Sequence, residues 1–222
     1  MSARQLPLEL PVLRSTAADD FFLSSSNRMA SELIGSWPDW PGRALALVGP
    51  AASGKTHLAS IWAERAGAVR LAAGDLRASS KAALTQAGAV LLEDLDRDCP
   101  EEAVLHLFNW LQEQKASLLM TSRVAPVRWQ VELRDLASRL RTLTVVEIRA
   151  PDDELLVAVI AKQLADRQIR VADAVIRFLV ARMERSFEAA RRLVKELDAL
   201  SLAEKRPITI PLAREMLQRL SF

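Results

Sequence analysis

Cysteine is nearly absent from this sequence: one thiol, Cys99, in 222 residues. A single cysteine cannot close an internal disulfide and has no second thiol for a metal cage, so a disulfide-stapled scaffold and the common Cys-rich zinc patterns are excluded. Cys99 is read as structural, and the chain fits a reducing compartment. Long apolar runs are missing too. None approaches the ~20 residues a membrane helix needs, and Met1 to Leu10 lacks a signal-peptide pattern, so a cytoplasmic protein with no membrane partner is expected. Charge of one sign is also scarce. Thirty Lys and Arg stand against 28 Asp and Glu, a net +2. That is far from the concentrated positive field of a dedicated DNA binder, and direct sequence-specific DNA binding is not expected.

What is present has the balance of a folded protein: half the residues are hydrophobic and 26% charged. The length suffices for a core domain with a small satellite. Residues 1–14 carry prolines and no helical period, which suits a flexible arm. Across 15–150, short apolar runs at Ala44–Val48, Ala68–Ala72, Ala89–Leu92, Ser117–Thr121 and Thr144–Ile148 alternate with helix-length stretches. Runs apolar on both faces are what strands look like when helices cover a parallel sheet on both sides. The expectation is therefore an α/β base with a five-stranded parallel sheet. Over 151–222 the pattern turns wholly helical, with Leu155, Leu156, Val159, Ile160 and Leu164 at helical spacing and Asp152, Asp153 and Pro211 at helix starts. A small all-helical lid is expected there.

The chemistry is concentrated at Gly49-Pro50-Ala51-Ala52-Ser53-Gly54-Lys55-Thr56, which satisfies GxxxxGK[ST] directly after a predicted strand and before an amphipathic helix. Glycines let backbone N–H groups curl around phosphate oxygens, and the helix N-terminus adds positive potential. Lys55 reaches the terminal phosphates, and Thr56 can ligate magnesium. His57 is read as a packing residue. A second acidic site is expected on a neighbouring strand, and Val90-Leu91-Leu92-Glu93-Asp94 supplies carboxylates at a strand's carboxyl end. Glu93 and Asp94 thus read as a Walker B equivalent that can hold magnesium.

Gly54-Lys55-Thr56-His57-Leu58, the run Leu91 to Asp96, and Asp135-Leu136-Ala137-Ser138-Arg139-Leu140 together resemble the DnaA group of AAA+ proteins, and within it the short regulators of the Hda type. The resemblance spans nearly the whole chain, including Asp20 to Ala30. It implies an AAA+ P-loop NTPase core with a C-terminal lid, a bound adenine nucleotide (ADP or ATP) and magnesium. It also makes Arg139 an arginine finger that acts in trans, an arrangement that accelerates phosphoryl transfer by ~10³ to 10⁵. Ser122, after Thr121, resembles the end of the sensor 1 strand, with Arg123 where relatives usually show an acid. Glu188 stands where a sensor 2 arginine is expected, and Arg191 and Arg192, one turn on, are the candidates for that role. Gln5-Leu6-Pro7-Leu8 resembles the short peptide with which such regulators bind the sliding clamp, the β subunit of DNA polymerase III.

The function implied is negative regulation of replication initiation: held on the clamp, the chain would stimulate hydrolysis of ATP bound to the DnaA initiator, with little or no ATPase of its own. Ending at Phe222, it leaves no room for the initiators' DNA-reading domain. Head-to-tail self-association is compatible with this fold. The alternative is a self-sufficient AAA+ ATPase of the helicase-loader or remodelling type, which would turn over ATP alone. A DNA-binding adaptor and a scaffold that holds its nucleotide inertly rank below both.

Overall fold

The computed structural model describes residues 21–76, 87–95, 100–204 and 208–220. The arm with Gln5 to Leu8, and Cys99, lie outside them. Five strands, β1 (Ala44–Val48), β2 (Val69–Ala72), β3 (Ala89–Glu93), β4 (Ser117–Ser122) and β5 (Thr144–Glu147), form one sheet in the order β2-β3-β4-β1-β5. Every neighbouring pair is parallel. Because successive side chains point to opposite faces, the both-sided apolar runs feed two cores at once. Leu45, Leu47, Ala89, Leu91, Leu119 and Val146 pack with α1 (Arg28–Gly35) and α2 (Lys55–Ala66). Their neighbours Ala46, Val48, Val90, Leu92, Leu118 and Met120 pack with α3 (Glu101–Gln114) and α4 (Arg134–Thr142).

The first core is anchored by Trp62 of α2, 2% exposed and stacked on Trp40 with ring centroids 5.1 Å apart. Truncating a tryptophan so placed costs about 3–5 kcal/mol. Strand ends differ from the sequence expectation by a residue. β3 runs on to Glu93, paired with Ala72, and β4 to Ser122, paired with Val48. β2 starts at Val69 because the Ala68 N–H is committed to the Ala63 carbonyl at the end of α2. β5 ends at Glu147, one residue before Ile148. The two extensions matter, because they place Glu93 and Ser122 on the sheet rather than in loops.

After Pro151 come α5 (Asp153–Asp166), α6 (Asp173–Val180), α7 (Phe187–Glu204) and α8 (Ile210–Leu220). They close around Leu156, Ile160, Leu164, Leu179, Leu193 and Leu197. Asp152 caps α5 by accepting the Leu155 N–H at 2.8 Å, and Asp153 and Glu154 in its first turn suit the positive end of the helix dipole. Asp153 also takes a two-pronged bond from Arg185, at 2.9 and 3.2 Å, which fixes the turn before α7. Polar contacts tie this lid to the base: Ser25 Oγ donates to Asp152 at 3.0 Å, and the Phe187 N–H donates to the Ala52 carbonyl at 3.2 Å.

Candidate functional site

The loop from Gly49 to Gly54 leaves the carboxyl end of β1 and enters α2 directly. Its path leaves no space for a side chain at Gly49, where a Cβ would collide with the Ile148 carbonyl oxygen, while the Gly49 N–H is held by the Ser122 carbonyl at 3.2 Å. Ala52 (φ 52°) and Gly54 (φ 98°) are left-handed, the backbone geometry that turns successive N–H groups to one side and makes an anion-binding concavity. Lys55 is buried, and its Nζ donates to the Gly49 and Pro50 carbonyls at 2.8 Å each. Ser53 is 3% exposed, and its Oγ has no hydrogen-bond partner among the described residues. A buried hydroxyl left this way costs about 1–3 kcal/mol. An oxygen-rich ligand seated in the loop would satisfy it. Thr56 is exposed in the first turn of α2. The loop therefore fits a phosphate chain, with Thr56 open to a metal beside it.

Two strands away, the end of β3 separates its two carboxylates. Glu93 shares the face of Ala89 and Leu91, the α2 side, and is half-buried. Asp94 is exposed and left-handed (φ 56°), its N–H held by Thr121 Oγ1 at 3.0 Å. Burial raises the Glu93 pKa; the Arg70 charge pulls it back and the Asp94 charge adds to the rise. Arg70, on β2, is positioned by α2 through bonds to Ser60 Oγ (3.1 Å) and the Ser60 carbonyl (3.2 Å). No group of three His, Cys, Asp or Glu suited to a metal exists among the described residues. A magnesium ion here would draw on Thr56, Glu93 or Asp94, and phosphate oxygens together.

Comparison with known proteins places this arrangement. A family model described as the Hda lid domain matches residues 152–217. DnaA of Clavibacter sepedonicus is 22% identical over 230 residues, covering 91% of this chain and 48% of that protein. Domain III of Thermotoga maritima DnaA superposes with a TM-score of 0.77 at 16% identity, covering 95% of this chain and 98% of that one. AMPPCP-bound DnaA from Aquifex aeolicus gives 0.70 at 18% identity, over 91% of this chain and 67% of that one. The chain has the AAA+ fold of DnaA domain III, and its residues 152–217 match the Hda-type lid. It spans about half the length of the Clavibacter initiator.

Within this AAA+ frame the remaining candidate residues fall in different places. Ser122 is buried with its hydroxyl on the Val124 carbonyl at 2.7 Å, and its own carbonyl braces Gly49. Arg191 and Arg192 are exposed on α7, and Arg191 Nε turns back onto the Phe187 carbonyl at 3.3 Å. The lid residue that meets the loop is Phe187: its ring lies 3.2 Å from where a Cβ on Gly54 would sit. Sequence reasoning missed it, and an aromatic directly after the Ser186 cap of α7, whose Oγ accepts the Ala189 N–H, was the available signal. It missed Arg70 as well, marked only by one charge inside an apolar strand. His57 packs edge-on against Phe21, with ring centroids 5.5 Å apart.

Arg139 stands apart from all of these. It lines a cavity of about 380 Å³ with Ala44 and Leu118, the amino ends of β1 and β4, whereas the loop follows the carboxyl end of β1. At ~3.3 Å per residue, the four steps from Ala44 to Val48 put about 13 Å of strand between them. Arg139 Nη2 donates to Asn109 Oδ1 at 2.7 Å and Nη1 to Gln112 Oε1 at 3.3 Å, and its Nε is buried without a partner.

Proposed function

We propose that this chain regulates replication initiation in the manner its Hda-type lid suggests. It binds an adenine nucleotide between loop and lid, is held on the sliding clamp by Gln5 to Leu8, and uses Arg139 to promote hydrolysis of ATP bound to DnaA. The observation that carries this reading is the position of Arg139: an arginine at the amino end of the sheet, with the chain's own loop at the carboxyl end. Only a nucleotide on another subunit is within its reach. There a guanidinium stabilises the charge that develops on the transferring phosphoryl group.

The chain's own nucleotide has a structural part in this reading. Lys55 and the N–H groups of the loop hold the phosphates, Thr56 and Glu93 hold magnesium, and the Phe187 contacts with Ala52 and Gly54 couple that occupancy to the lid. AMPPCP in the Aquifex initiator supports an adenine nucleotide as the ligand. The neighbouring positive charge of Arg70 opposes the approach of a cation to Glu93, which suits a nucleotide that is held rather than turned over.

The test is phosphate release from ATP-loaded DnaA with clamp on DNA. The native chain is expected to stimulate it. Arg139→Ala and a variant with Gln5 and Leu6 both replaced by Ala are each expected to lose that stimulation while keeping their fold. Stimulation that survives Arg139→Ala would overturn the reading. Turnover of ATP by the isolated chain, abolished in Lys55→Ala, would favour the self-sufficient ATPase; the placement of Glu93 on the α2 side of the sheet is what recommends that second reading.

A further inference from the structure

Arg139 is unusual in how it is held. Its two terminal nitrogens donate to the side-chain amides of Asn109 and Gln112, on consecutive turns of α3. An arginine offers only donors, so both amides must present their oxygens to it. Neither carries charge. Asp135, one turn earlier on α4, makes no ion pair with it, and among the described residues no carboxylate neutralises it. The guanidinium is thus fixed in direction while its full positive charge remains available. A carboxylate at the same distance would hold it more tightly but would have to be displaced before any phosphate could be engaged.

The surroundings keep the same balance. The cavity beside Arg139 is walled by Phe108, Leu111 and Leu143, and its charged lining residues are cations, Arg43 and Lys115. Arg43 Nη1 is itself tied to the Lys115 carbonyl at 2.9 Å. The Nε of Arg139 is buried without a hydrogen-bond partner among the described residues.

We infer that Asn109, with Gln112 as its second contact, is the positioning residue for Arg139: it fixes the guanidinium by neutral hydrogen bonds and leaves its charge for an anion on the partner. This inference rests on the proposed function for the identity of that anion, the phosphoryl group of the nucleotide on DnaA. Neither amide is a catalytic residue, since neither touches the reacting atoms.

The experiment compares the native chain with Asn109→Asp, Asn109→Ala and Arg139→Ala, in two readouts. The first is the maximal rate of DnaA-bound ATP hydrolysis at saturating regulator, together with the regulator concentration giving half of it. Asn109→Asp, nearly isosteric, traps the guanidinium in an ion pair and is expected to lower the maximal rate by about tenfold or more, the factor a charge-assisted bond commands. Asn109→Ala frees the side chain and is expected to lower it several-fold with the half-saturating concentration unchanged. The second readout is the ¹⁵N–¹H spectrum of the Arg139 side chain in the free protein, where the Nη protons are expected to be resolved in the native chain and averaged by rotation in Asn109→Ala. A merely structural role would not move that signature. Native-like stimulation by both Asn109 variants, with Arg139→Ala inactive, would overturn the inference and leave the proposed function standing. Absence of stimulation by the native chain itself would sink the proposed function, and the inference with it.

Discussion

Lys55 is expected to stabilise the protein even without nucleotide, and Lys55→Met tests this. In the structure its Nζ donates 2.8 Å bonds to the Gly49 and Pro50 carbonyls, and the residue is 7% exposed. Methionine replaces the stem at similar volume and leaves both carbonyls without their donor. Each such loss costs about 1–3 kcal/mol, the lower end applying where water can reach the carbonyl. Relief of the buried ammonium's desolvation offsets part of this. The net expectation is about 2 kcal/mol, which for a chain of this size lowers Tm by about 4–8 °C. Thermal unfolding in nucleotide-free buffer with chelator measures it, and a parallel titration with labelled ADP should show lost affinity. A Tm within about 1 °C of the native chain, well inside the shift expected per kcal/mol, would refute the reasoning. It would mean that the carbonyl clasp contributes nothing and that Lys55 acts only through phosphate.

Burial raises the Glu93 pKa, with Arg70 opposing and Asp94 adding, so the folded state binds this proton more tightly than the unfolded one and stability falls as pH rises from the ordinary glutamate value through the raised one. Glu93→Gln is therefore expected to be more stable than the native chain at neutral pH, with the gain fading toward acid; denaturant titrations at several pH values check this, and a pH-independent difference would contradict it. Gly54→Ala forces a side chain into φ 98° and to 3.2 Å from the Phe187 ring, an expected cost of about 1–2 kcal/mol. Repeating it in a Phe187→Ala background should recover only the contact part of that cost, by a double-mutant cycle in urea. If the chain were a self-sufficient ATPase assembled head to tail, mixing Lys55→Met with Arg139→Ala would restore part of the lost turnover, since each variant keeps what the other lacks. Under the proposed function neither variant, nor the mixture, turns over ATP alone.

The parallel sheet was legible in the sequence because strands covered on both faces carry near-continuous apolar runs, as at Ala44–Val48, Ala89–Leu92 and Leu118–Met120. The phosphate loop was legible because its chemistry needs fixed residues at fixed spacing within ten residues. The separate placements of Glu93 and Asp94 were legible in principle: Glu93 stands two positions after Leu91 and so shares its face. What could not be read is what the fold brings together across distance. Asn109 and Gln112 precede Arg139 by 30 and 27 residues on a different helix, and nothing in an α3 that reads as an ordinary amphipathic helix marks them. Phe187 meets Gly54 across 133 residues of sequence, beside its own N–H bond to the Ala52 carbonyl and after the turn that Asp153 and Arg185 brace. The candidacy of Arg139 rests on resemblance, since a lone arginine on a polar helix has no local signature.

The division of the molecule into two charged ends follows from the parallel sheet itself. Parallel strands send all their carboxyl ends to one edge, so the loop, Glu93 and the lid contact at Phe187 gather there. The helices that return the chain begin at that edge and finish at the other, which is why the last turns of α3 and Arg139 near the end of α4 meet beside the amino ends of β1 and β4. A donor of positive charge at one edge and a phosphate cradle at the other are complementary but cannot meet within one chain. They can meet only between chains, through a head-to-tail contact whose two faces differ. Under the proposed function a regulator needs just one of those faces on the initiator, and neutral anchoring of Arg139 would decide which encounters are productive, since its charge is left for an anion on the opposing surface.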